Sequence, residues 1–289
     1  MTKILLFTVT ILFLFSGCKQ DNLTPSWLNI DEFLLETDET YQGANSTKIT
    51  DAWVYMDGQP LGVFELPANI PILAEGEHSF IIFAGIMDNG RSGERTIYPF
   101  YRSYDIDLNL VINDTIAITP VTEYKAATTF AFIEDFESAG FDIVKGAGSD
   151  TNITFITKEA YPEIVKYGNK CGGIFLDEID SLYVGRTNEN FILPTNQDVY
   201  LEIDYRNDNS MTMSTIYEDN GDETQELPYI TMVQQTTGEE VWKKMYINLK
   251  ENISFRVGAD NYDVYFLSIL DNDKVTGTFY LDNIKIVHN

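Results

Sequence analysis

The chain has 289 residues, with 19 Lys and Arg against 45 Asp and Glu and a formal net charge of −26. That excess of carboxylates excludes nucleic-acid binding, because phosphates are repelled on approach and no basic stripe interleaved with aromatics offers a local exception. A hydrophobic fraction of 44% with 13% aromatics excludes a disordered chain and fits one large or two medium domains.

A single charge, Lys3, precedes an apolar run from Ile4 to Phe15 that is too short for a stable transmembrane helix and has the build of a signal-peptide core. The run closes on Ser16-Gly17-Cys18. This ending resembles the lipobox of bacterial lipoproteins, with Phe15 where that family usually has Leu, Val or Ile. The resemblance implies removal of residues 1–17 and acylation of Cys18, so that membrane attachment rests on acyl chains rather than on surface charge. With Cys18 acylated, Cys171 is left without a disulfide partner, and it reads as a small buried residue.

Residues 18–27 are polar and read as a tether, which lets the folded part stand off the lipid headgroups. From residue 28 onward, short runs of Thr, Tyr, Phe, Ile and Val divided by Gly, Asn and Asp predict an all-β chain. A first sandwich is expected over 28–125. Its centre, Ile49 to Pro67, carries the hairpin signal Asp57-Gly58, and Tyr104 to Leu110 alternates aliphatic and polar residues as a half-solvated strand does. Val54, Asp57-Gly58, Gly62, Pro67 and Gly76-Glu77-His78 together resemble PEGA-type and carboxypeptidase-regulatory-like modules, small exported antiparallel sandwiches without catalytic residues. His78 is read as structural, since two histidines in the whole chain cannot supply an imidazole metal site.

A second unit is expected over 130–289. Its opening Phe130 to Ser138 and closing Gly277 to Ile286 resemble the first and last strands of jelly-roll carbohydrate-binding modules, and Trp242 to Leu249 resembles another of their strands. The resemblance implies a structural calcium held by Glu137 and Asp282, with further oxygens needed from the loop after Phe141. Glu134/Asp135, Asp177/Asp180 and Glu202/Asp204 are carboxylate pairs, but glycoside hydrolysis needs two acids facing each other across a cleft, and Glu202 and Asp204 share one strand face that is expected to be solvated. Asp219 to Glu223 lacks the ligand spacing of an EF-hand and reads as an acidic hairpin tip.

For ligand contact, Tyr98, Phe100 and Tyr101 around Pro99 are the expected exposed aromatic platform, while Trp27, Trp53 and Trp242 are assigned mainly to packing. Asp114-Thr115-Ile116 and Asp180-Ser181-Leu182 match the Asp-Ser/Thr-aliphatic pattern of Bacteroidota O-glycosylation, giving Thr115 and Ser181 as acceptors. The combination of lipobox, tether, small sandwich and jelly roll resembles outer-membrane lipoproteins of Bacteroidota, and Lys19 to Asn22 resembles their surface-export signals. The resemblance implies a lipid-anchored, non-enzymatic accessory subunit of an outer-membrane protein complex, facing the cell exterior and requiring no cofactor. The alternative is a surface glycan-binding lipoprotein, and a glycan-active hydrolase comes third.

Overall fold

The computed structural model describes residues 24–225, 229–256 and 258–289; the signal segment, Cys18 and Lys19 to Leu23 of the expected tether lie outside the described residues. Ser26 and Trp27 belong to the first strand rather than to a tether. Strands in the first half are β1 (Ser26–Ile30), β2 (Leu34–Glu36), β3 (Asp51–Met56), β4 (Gln59–Glu65), β5 (Ala68–Ile72), β6 (Gly76–Met87), β7 (Arg95–Ile97), β8 (Tyr104–Leu110), β9 (Thr115–Ile118) and β10 (Val121–Glu123). A single-turn helix, α1 (Glu39–Gln42), is capped by the Asp38 side chain, which accepts from Thr40 N.

The second half contains β11 (Thr129–Glu134), β12 (Ile143–Lys145), β13 (Thr154–Thr157), β14 (Lys170–Asp177), β15 (Leu182–Thr187), β16 (Val199–Asn207), β17 (Met211–Asp219), β18 (Asp222–Gln225), β19 (Ile230–Met232) and β20 (Lys243–Asn248). Helix α2 (Lys250–Phe255) and strands β21 (Asn261–Ile269) and β22 (Thr276–His288) complete it.

Strands β4-β3-β6-β7, with β8 also on β6, form a five-stranded sheet, and β5-β1-β9 form a three-stranded one. The β3–β4 hairpin turns on Asp57 and Gly58 at φ 51° and 75°, the positive values for which that dipeptide is suited. Two pairings are parallel, β1 with β9 and β2 with β10. On β8, Leu108 and Leu110 are buried while Asp105, Asp107 and Asn109 face solvent, as the alternation predicts.

The second half folds into two six-stranded sheets, β13-β14-β22-β16-β20 with β11 on β22, and β12-β15-β21-β17-β18 with β19 on β17. Leu201, Ile203, Leu281 and Ile286 from the first meet Met211, Met213, Val264 and Phe266 from the second in one apolar core. The chain is therefore all-β and built of sandwiches, as expected. A second core, around Leu28, Val54, Ile82 and Phe100, also takes in Tyr200, Tyr246 and Val287 from the β22 sheet. The outward face of that sheet is thus covered by the N-terminal strands.

Candidate functional site

Because side chains alternate along a strand, the inward set Leu201, Ile203 and Tyr205 on β16 leaves Tyr200, Glu202 and Asp204 pointing out of the sandwich. Cross-strand register puts Tyr246 and Lys285 on either side of Glu202, and Lys244 and Asp282 on either side of Asp204. The sequence expectation of a solvated Glu202/Asp204 face is overturned: the two are 0% and 2% exposed. Glu202 accepts from the Tyr98 hydroxyl at 2.6 Å, the Tyr124 hydroxyl at 2.8 Å and Lys244 Nζ at 2.8 Å. Asp204 accepts from the Ser46 hydroxyl.

Burial works against each of these charges, so their titration shows which interactions win. Lys244 and Lys285 overcome burial at Glu202 and hold its carboxyl below the usual range. Burial dominates at Asp204 and raises it. Burial and the repulsion of Lys244 bring Lys285 down to about 8, which still leaves it mostly charged at neutral pH.

Tyr98, Phe100 and Tyr101 form, with Tyr124, a lid of rings over Glu202 and not an exposed platform, being 0%, 0% and 1% exposed. Pro99 does interrupt the strand, but the turn directs the rings onto the β22 sheet. Tyr98 packs edge-on against Tyr101 at 4.6 Å and Tyr200 at 5.2 Å, and Tyr101 OH lies 3.1 Å from Tyr246 OH. A buried phenol needs a polar partner, and Glu202 and Tyr246 supply them.

The open site lies along β20, the edge of the β22 sheet. The tip of the β6–β7 hairpin docks there: Asn89 N donates to Tyr246 O at 2.9 Å, and Asn89 Oδ1 accepts from Asn248 N at 2.9 Å. Beside this contact opens a cleft of about 570 Å³, lined by Thr47, Lys48, Lys166, Tyr167, Asp204, Trp242, Lys243, Lys244 and Tyr246 among others. A second cavity of about 460 Å³ adjoins it, sharing Gly90, Tyr205, Lys243 and Met245 and adding Arg91, Tyr229, Thr231 and Gln234. Tyr167, Trp242 and Tyr229 are half-buried. Trp242 is held by Nε1 donating to Ile164 O at 2.6 Å and by packing with Val165, Cys171 and Tyr280. Lys166 Nζ sits 4.9 Å from the centre of the Tyr167 ring.

Glu137 and Asp282, the expected calcium pair, line one pocket of about 270 Å³ with Glu39 and Asp135. Glu137 is already committed: Oε1 accepts from Asn169 N and Lys170 N at 2.7 and 2.8 Å, and Oε2 from Asn169 Nδ2 at 3.1 Å. Asp282 is 1% exposed; Oδ1 accepts from Asn283 N at 2.8 Å, while Oδ2 has no hydrogen-bond partner among the described residues. Burial, followed by repulsion from Asp204, pushes the Asp282 carboxyl well up. Among the described residues, no group of three or more His, Cys, Asp or Glu side chains is placed to hold a metal ion. Calcium, which takes six to eight oxygens, does not fit this pair as it stands.

The remaining sequence candidates have structural partners or lie at the surface. Glu134 is 3% exposed and accepts from Phe136 N at 2.6 Å, and Asp177 accepts from Ile179 N and Asp180 N at 2.7 Å each. His78 is bonded to Asp57 at 2.6 Å. Cys171 is fully buried, and burial pushes its thiol up to about 12. Asp219 to Asp222 is a hairpin turn with Asn220 and Gly221 at φ 54° and 86°. Thr115 is exposed and Ser181 half-buried.

No family model matches the sequence, and no curated protein matches it. Among solved structures, the chain is similar to a non-crystalline cellulose-specific carbohydrate-binding module of family 28, at 12% identity and a TM-score of 0.39, covering 53% of this chain and 91% of that one. It is similar to the K3 adhesin domain of Lys-gingipain from Porphyromonas gingivalis at 13% identity and 0.38, covering 56% and 99%. A family 11 carbohydrate-binding module from Clostridium thermocellum, solved with a mixed-linked tetrasaccharide, follows at 15% identity and 0.33, covering 55% and 94%. All these TM-scores are below 0.5, so the functional reading rests on the cleft itself.

Proposed function

We propose that this protein is a non-catalytic, surface glycan-binding protein that takes a saccharide chain in the groove along β20. One observation carries the reading: half-buried Tyr167, Trp242 and Tyr229 line two adjoining open cavities together with the exposed Lys48, Lys166 and Lys243, whose ammonium groups can donate to hydroxyls. Sugars present apolar faces that stack on rings and hydroxyl edges that need polar partners, and the groove offers both. The absence of a hydrolytic role belongs to the same reading, since Glu202 is sealed under the tyrosine lid, Asp204 is the one acid lining the cleft with no second acid facing it, and Glu134 caps backbone N–H groups.

The proposal includes lipid anchoring through Cys18 at the outer face of an outer membrane; its support is the Ile4 to Cys18 sequence. Mobility in native gels containing polysaccharide tests the binding role, with slowed migration expected and lost in Tyr167→Ala. Acylation is read by the mass of the native N-terminal peptide, and O-glycans at Thr115 or Ser181 by intact mass.

A second reading, an accessory subunit of an outer-membrane complex, is favoured by Ile192 and Phe255, apolar side chains that are 85% and 78% exposed. Recovery of a stoichiometric membrane partner on purification from native membranes, lost in Phe255→Ser, is its test.

A further inference from the structure

The groove inverts the charge of the molecule. The whole chain has 45 acids against 19 bases, yet the two cavities along β20 are lined by Lys48, Lys166, Lys243, Lys244 and Arg91, with Asp204 as the one acid among the lining residues. Two of these bases have their charge satisfied, Lys244 by Glu202 at 2.8 Å and Arg91 by Glu94 at 3.0 Å. Lys48, Lys166 and Lys243 are exposed and form no ion pair among the described residues. Lys166 rests over the Tyr167 ring, and with Lys48 and Lys243 it places three exposed ammonium groups in one groove of a strongly acidic protein.

We propose that the glycan taken by this groove is acidic, a polysaccharide carrying carboxylate or sulfate groups along its length. The inference rests on the glycan-binding reading and specifies its ligand class. Charges of one sign lining a low-dielectric cleft focus the field there, while remote carboxylates are screened beyond about 8 Å at physiological salt. The local lysines therefore prevail at the Lys48, Lys166 and Lys243 stretch of the groove, while Glu251, Asp88 and Glu94 reach its Tyr229 end. Lys166 and Tyr167 also wall the neighbouring acidic pocket of Glu39, Asp135, Glu137 and Asp282. That pocket repels an anionic chain, so its charged groups are placed over Lys48, Lys166 and Lys243.

The test compares polygalacturonate, the same polymer with its carboxylates methyl-esterified, dextran sulfate and a neutral mixed-linked β-glucan, by calorimetric titration at about 0.15 M salt. The wild type is expected to bind an anionic polymer about tenfold or more tighter than the esterified and neutral ones, and the triple variant Lys48→Gln/Lys166→Gln/Lys243→Gln to lose about tenfold. The melting temperature of the triple variant checks that it is folded, and all three substituted side chains are exposed. Equal or tighter binding of the esterified or neutral polymer overturns the acidic ligand and leaves glycan binding standing. Binding of no polymer overturns both, and anionic binding that survives Tyr167→Ala unchanged overturns a saccharide site in favour of a bare charge patch.

Discussion

Replacing Glu202 with Gln probes how the two β regions are joined. The carboxylate is 0% exposed and accepts from Tyr98, Tyr124 and Lys244, with Lys285 opposite it in register. Gln keeps the volume but removes the charge, leaving Lys244 to Asp204 and Lys285 facing a neutral amide. Breaking a buried ion pair on one side costs about 3–5 kcal/mol, and an amide also cannot accept from all three donors as a carboxylate does. The Tyr98 and Tyr124 hydroxyls lie across the boundary between the two cores, so the loss falls on the junction. Scanning calorimetry of the wild type should show one cooperative transition, and Glu202→Gln should lower its midpoint and separate it into two. A midpoint change equivalent to less than about 1 kcal/mol, with the transition still single, refutes a junction held by Glu202.

Asp282→Asn tests the opposite case, a buried acid without a full set of partners. Its folded carboxyl is raised well above the unfolded value of 3.8, so the stability carried by the protonated form is complete below that value and is lost as pH rises through the folded one. Asn keeps the neutral form throughout, and the variant should match the wild type near pH 3 and exceed it at pH 7 by ~1–3 kcal/mol in urea unfolding. Calcium at millimolar concentration should leave the wild-type melting temperature unchanged; a rise that Asp282→Asn abolishes refutes this reading of the pocket. Cys171, with its thiol at about 12 and no exposure, should resist a thiol-specific chromogenic reagent in the folded protein and react fully in denaturant.

Local features were legible in the sequence where they depend on neighbours along the chain. Asp57-Gly58 marks a hairpin because positive φ is a property of those two residues, and Tyr104 to Leu110 marks a one-faced strand because alternation is its own record. The junction was not legible, since Glu202 meets Tyr98 and Tyr124 across separations of 104 and 78 residues. A turn at Pro99 reads the same whether the flanking rings face water or a sheet. The basic groove draws on Lys48, Lys166 and Lys243, none of which stands out within an acidic chain until β20 and its neighbouring loops bring them together. Lys243-Lys244 was the one available signal: both line the cleft, and on an edge strand their side chains point to opposite faces, Lys244 reaching Glu202.

The central claim, that the β20 groove holds a saccharide chain, is tested most directly by titrating polygalacturonate into the wild type and into Tyr167→Ala. The account predicts saturable binding by the wild type and a loss of about tenfold or more in the variant, a ring-stacking contribution of ~1–3 kcal/mol. Equal affinities for the two proteins, both folded by calorimetry, would contradict it.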